Sequence, residues 1–151
     1  MSATHVVGDL VVLFVEDRVL HTGDLFFHRI YPNIDLEAGG SVQEWGGTLE
    51  RVLALDFDTV IPGHGAVTDR AGLREFQRFI AELAEVAEDA VAAGKTLEET
   101  LASANLKNDA EFEEMGIPLL FKFDRDFVVQ RAWEEAAGIV KPVDLEDQKS
   151  M

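Results

Sequence analysis

The 151-residue chain contains no cysteine. Disulfides, thiolate metal sites and cysteine nucleophiles are thereby excluded, and any metal has to be held by imidazole and carboxylate groups. Such donors suit zinc, iron or manganese. Positive charge is also scarce: 13 Lys and Arg stand against 29 Asp and Glu, a formal net charge of −16. That balance repels phosphate backbones and anionic lipid surfaces, so neither nucleic acid nor a membrane is expected as a partner. No apolar run approaches the roughly 18 residues of a membrane span. No basic segment followed by an apolar stretch opens the chain, as a signal peptide would require. A cytoplasmic location is the resulting expectation.

Apolar material is plentiful, at 47% of residues, so the chain can build a core. Leu10 to Val15 reads as a strand, Glu16-Asp17 as a turn, and Arg18 to Thr22 as the returning strand of a hairpin. Gly23 to Gly40, with its Gly, Pro, Asn and Asp, reads as a long loop. Ser41 and Glu44 predict a capping box opening a helix with Val42, Trp45, Leu49, Val52 and Leu53 on its buried stripe, and Gly46-Gly47 as a point of close packing. Asp58 to Ile61 predicts a short strand stopped by Pro62-Gly63. A long helix follows, capped by Thr68 or Asp69, with Leu73, Phe76, Ile80, Leu83, Ala87 and Val91 as its stripe and Gly94 as its end. The acidic side chains Glu82, Glu85, Glu88 and Asp89 read as its solvated face. Thr96 and Glu99 form a second capping box for a helix reaching about Ala104. Residues 105 to 124 read as irregular, with Phe112, Leu119, Leu120, Phe121 and Phe123 tucked under the fold. Asp124 or Asp126 opens a last helix, which runs to Ala136 and stops at Gly138. About three strands are visible, few for a chain this long. The expected domain covers residues 1–140, followed by a polar tail at 141–151.

Three segments carry chemistry. His5 stands in HVVGD just before the first apolar strand. Asp24 closes RVLHTGD at the end of the second, and His64 lies in IPGHG at the end of the third. Ligands at strand ends rest on rigid supports and share one rim, and the neighbouring glycines let the backbone turn there. The histidines outside this trio have plainer readings. His21 reads as a sheet-face residue, and His28 as a residue near the rim. Asp9 reads as a turn residue that orients His5. Tyr31 and the Phe26-Phe27 pair are candidates either for a pocket wall or for the core.

HVVGD before a strand, then RVLHTGDLFF, then SVQEWGGTLERVLALDFDTVIPGHG resembles, in that order, the second half of metallo-β-lactamase-fold hydrolases. The resemblance runs well over residues 3 to 68. It implies an α+β fold: half of an αββα sandwich, a small mixed sheet with helices on one face. It also implies that His5, Asp24 and His64 occupy metal-ligand positions, with Asp24 bridging two zinc ions (iron or manganese in some relatives), and that Asp9, His28 and Tyr31 lie around them. The implied activity is attack of a metal-bound hydroxide on an ester, thioester or amide carbonyl of a small-molecule substrate. The family's first-half motif, His-x-His-x-Asp-His, is absent, so each metal would keep two ligands from this chain, and no residue is assigned as catalytic. Catalytic zinc usually has three protein ligands, so weak or no activity is expected of the chain alone. A lone half would expose an apolar sheet face, at roughly 25 cal/mol per Å². Covering it with a second copy or with a complementary N-terminal half is the expected solution. The homodimer leads to a second reading, a non-catalytic assembly or binding module.

Overall fold

The computed structural model describes residues 9–117 and 119–139. The expected ligand position His5 and the polar tail at 141–151 lie outside the described residues. Strand β1 (Val12–Phe14) pairs antiparallel with β2 (Val19–Phe27), as the hairpin reading requires. Helix α1 (Val42–Leu53) then crosses over to β3 (Thr59–His64), which pairs parallel with β2. A two-residue strand β4 (Thr68–Asp69) pairs antiparallel with β3 and completes a mixed sheet in the order β1-β2-β3-β4. Helices α2 (Arg70–Ala92), α3 (Leu97–Ser103) and α4 (Arg125–Ala136) follow, and between α3 and α4 the chain makes a separate hairpin, β5 (Met115–Ile117) with β6 (Phe121–Phe123). This is a mixed α+β architecture with a small mixed sheet and four helices among the described residues.

The helices begin and end where local chemistry says they should. Ser41, Asp69, Thr96 and Asp124 each cap a helix, their side-chain oxygens accepting the N–H three residues on. The box at Thr96 and Glu99 is complete. At Ser41 the second partner is a distant one: Glu135 of α4 accepts the N–H of Val42 at 2.7 Å. Helix α1 has no glycine at its end. Its last carbonyls and the strand entry are gathered by Arg70, which donates to Leu53, to Leu55 at 2.8 Å and to Phe57 at 3.0 Å. Helix α2 closes in a Schellman motif, with Gly94 at φ 73° and the N–H of Lys95 bonded to Ala90.

The expected stripes of α1 and α2 meet the sheet, apart from Val91, which is only half-buried. Trp45 is fully buried and its indole N–H donates to the Leu25 carbonyl at 3.0 Å, fastening the crossover helix to β2. Gly46 lies 3.6 Å from the Ala81 backbone for an added Cβ, so the two helices pack closely at that point, whereas Gly47 faces open space. An aromatic cluster of Phe26, Phe76, Phe79, Phe112 and Tyr31 fills the space between β2, α2 and the segment before β5.

Four expectations need correction. Strand β2 runs on to Phe27 and β3 runs through Pro62-Gly63 to His64, because each keeps pairing with the other beyond the residues that punctuate the sequence. Residues 115–123 are a hairpin, not an irregular stretch. Leu119, Leu120 and Phe121 are exposed, not tucked in, since the hairpin projects from the fold. Glu82 is not merely solvated: it accepts the N–H of Lys107 at 2.7 Å and of Asn108 at 3.0 Å.

Tyr31, the chain's one tyrosine, has its hydroxyl donating to Asp109 at 2.7 Å. Burial, and then the Asp109 hydrogen bond, push its pKa well above the ordinary phenol value. The folded state therefore keeps a proton that the unfolded chain loses near about pH 10. The associated stability is fully present below that pH and is lost as pH rises further. A phenolate absorbance titration should show no ionisation of the native protein in the ordinary tyrosine range. Ionisation should set in only together with alkaline unfolding, and normal titration of the folded chain would contradict this.

Candidate metal edge at the ends of β2 and β3

Because β2 and β3 are parallel, their C-terminal ends reach the same edge of the sheet, and each brings one donor side chain to it. His64 Nε2 lies 3.3 Å from Asp24 Oδ1, and the two side chains are 41% and 58% exposed. The imidazole stacks on the ring of buried Phe27, with centroids 4.7 Å apart and planes 11° off parallel. That contact sets the ring plane, leaving its Nε2 edge toward the carboxylate.

Asp24 reaches this place through a break in the strand. The β2–β3 register shifts between His21 and Gly23 and again between Gly23 and Phe27. Gly23 adopts φ 53°, a conformation that disfavours side chains, and its N–H donates to His21 Nδ1 at 3.1 Å. Opposite it, Gly63 leaves the bulge room. A Cβ there would stand 2.6 Å from both Asp24 Oδ1 and the Gly23 carbonyl oxygen. His28 clamps the other side of His64. Its backbone N–H donates to the His64 carbonyl at 2.9 Å, and its Nδ1–H donates to the Ala66 carbonyl at 2.8 Å.

The structure thus brings Asp24 and His64 together. Asp9 is half-buried at the start of β1's approach. Tyr31 belongs to the aromatic core, away from the pair's cleft. His21 is an exposed sheet-face residue that also supports the bulge. Sequence reasoning missed Asn33 and the β5–β6 hairpin. Asn33, Phe27, Met115, Gly116, Ile117, Phe121 and Phe123 line a cleft of ≈ 290 Å³ with Asp24 and His64. The alternation Met-x-Ile and Phe-x-Phe around a turn was the signal available for the hairpin.

Among the described residues, no group of three or more His, Asp or Glu side chains is placed to hold a metal ion. The pair itself fits part of such a site. Donors about 2.0–2.2 Å from a tetrahedral zinc lie roughly 3.3–3.6 Å from one another. The Asp24–His64 spacing matches one edge of that tetrahedron.

The sequence profile of the metallo-beta-lactamase superfamily matches residues 2–64, a stretch that ends on His64. Residues 2–64 are thus similar to a segment of that superfamily. No curated protein matches the chain. Among solved structures, a double mutant of the sec-alkyl sulfatase PisA1 matches with TM-score 0.60 and 17% identity, over 86% of this chain. The match takes in 22% of that enzyme's chain, so this chain spans about a fifth of its length. At that identity the likeness is one of fold. The mixed sheet and its helices accordingly correspond to half of a metallo-β-lactamase-like fold.

Replacing Gly63 by Ala in this segment should destabilise the protein by about 1–3 kcal/mol, the usual cost of forcing an atom into a filled space. It should also displace Asp24. Urea unfolding checks the first and the chemical shifts of Asp24 and His64 the second; an unchanged midpoint would refute the close approach. His21→Leu should expose the Gly23 amide to exchange. His21→Asn should protect it again, since Asn can accept the N–H two residues on.

Proposed function

We propose that the chain is the C-terminal half-domain of a zinc-dependent hydrolase, acting on an ester, thioester or amide once the remaining ligands are supplied by another segment or chain. The observation that carries this reading is the 3.3 Å approach of His64 Nε2 to Asp24 Oδ1 at a shared strand edge, inside a superfamily segment. His5 matches the family's third histidine and, with Asp24 and His64, would hold part of the metal site. Iron or manganese would suit the same donors. Zinc, when bound, supplies Lewis acidity toward the oxygen that gains charge in the reaction. The chain's own residues do the rest. Phe27 holds the imidazole plane, Gly63 admits the carboxylate, and His28 pins the loop after His64. The sulfatase neighbour extends the candidate chemistry to sulfate esters.

Two or three donors make a weak site, so the test is comparative. Zinc titration of the full chain should show uptake that falls at least tenfold in Asp24→Asn and in His64→Ala. Uptake unchanged by either substitution, or absent from the parent chain, would overturn the reading.

A second reading, a homodimeric assembly module, draws on the outer sheet face. Val12 and Phe14 are 44% and 50% exposed there, opposite His21 and Val19 on β2. A second copy could bury them. Light scattering at micromolar concentration should then report a dimer that Phe14→Glu converts to monomer. A monodisperse monomer for the parent chain rejects this arrangement.

A further inference from the structure

The β5–β6 hairpin has two unlike faces, and the apolar one lines the cleft of Asp24 and His64. Its register pairs Met115 with Phe123 and Ile117 with Phe121, with Gly116 and Lys122 between them. Cross-strand partners share a face, and the side alternates residue by residue. One face therefore carries Met115, Ile117, Phe121 and Phe123. The other carries Lys122, whose ammonium is held by Glu114 at 2.7 Å and Asp124 at 3.6 Å.

The hairpin's placement is fixed from both ends. Just before β5, Glu113 exchanges backbone hydrogen bonds with the segment following β2: its N–H donates to Arg29 at 2.9 Å, and its carbonyl accepts from Tyr31 at 3.0 Å. At the end of β6, Phe123 packs on Phe127 of α4, with ring centroids 4.9 Å apart. The inner pair, Met115 and Phe123, is partly covered by the fold. The outer pair is not: Ile117 and Phe121 remain 50% and 47% exposed while lining the cleft. Among the described residues, no lysine or arginine lines that cleft.

We infer that the apolar face of this hairpin is a subsite for the hydrocarbon part of the substrate, an alkyl or aryl group packed against Ile117 and Phe121 beside the Asp24–His64 edge. The inference rests on the proposed function for the identity of that edge. The cleft's donors handle the polar reacting group at one end, and its apolar wall removes the carbon chain from water at the other. The wall itself carries no cationic side chain among the described residues, so away from the donor edge it favours hydrocarbon over further anionic groups.

The test uses straight-chain alcohols from 1-butanol to 1-octanol as probes of the wall, followed by amide chemical shifts of the full chain. Saturable shifts are expected at Ile117, Phe121 and His64, with affinity rising about fourfold per added methylene. The double variant Ile117→Ser, Phe121→Ser should weaken octanol binding at least tenfold while its spectrum stays that of a folded protein. Shifts confined to Val12 and Phe14, affinity independent of chain length, or unchanged binding by the double variant would each overturn the inference. Zinc uptake by the parent chain is read separately. Octanol binding without zinc uptake would leave the subsite standing and remove the proposed function, and zinc uptake without octanol binding would do the reverse.

Discussion

The parallel pairing of β2 with β3 is the constraint on which the site depends. Parallel neighbours cannot be joined by a tight turn, so the chain must cross over, and α1 is that crossover. Trp45 secures it by burying its ring and giving its N–H to Leu25 of β2. Once the strands lie side by side in one direction, their C-terminal ends necessarily share an edge. Asp24 and His64 sit there because pairing persists to Phe27 opposite His64, across two irregularities in register. The irregularities have a local consequence. They turn Asp24 out of the regular ladder and toward the imidazole.

Around that edge the fold offers two apolar surfaces that differ in setting. The outer face of the sheet leaves Val12 and Phe14 exposed on β1. The hairpin face, at Ile117 and Phe121, overhangs a cleft that contains the donor pair. An exposed sheet face suits another protein surface, whereas a cleft wall beside polar groups suits a small molecule. The acidic character of the chain belongs to neither. Much of it is spent within the structure: Glu135 on the first turn of α1, Glu82 on the approach from α3, Asp58 on Arg18, whose guanidinium holds that carboxyl below its ordinary value.

The incompleteness of the site and the shape of the fold point the same way. A four-stranded sheet with helices on one side is half of the layered arrangement implied by the superfamily segment. Asp24 and His64, 3.3 Å apart, would be a corresponding fraction of the proposed metal site. Zinc chemistry needs more protein ligands than the described residues bring together.

What the sequence by itself determined is everything governed by neighbours along the chain. Caps at Ser41 and Thr96, the short choices between Thr68 and Asp69 and between Asp124 and Asp126, stops at Gly94 and Gly138, and the stripes of α1 and α2 all depend on hydrogen bonds and side-chain spacing within a few residues. The order of the Asp24 and His64 motifs was legible for the same reason. Only the tertiary structure decided how far β2 and β3 extend, that 115–123 is a hairpin, that Tyr31 turns inward to Asp109, and that Asp24 and His64 meet at 3.3 Å. Each of those rests on a partner tens of residues away. Strand pairing can carry a chain through Pro62-Gly63 because the ladder bonds, not local propensity, hold it there.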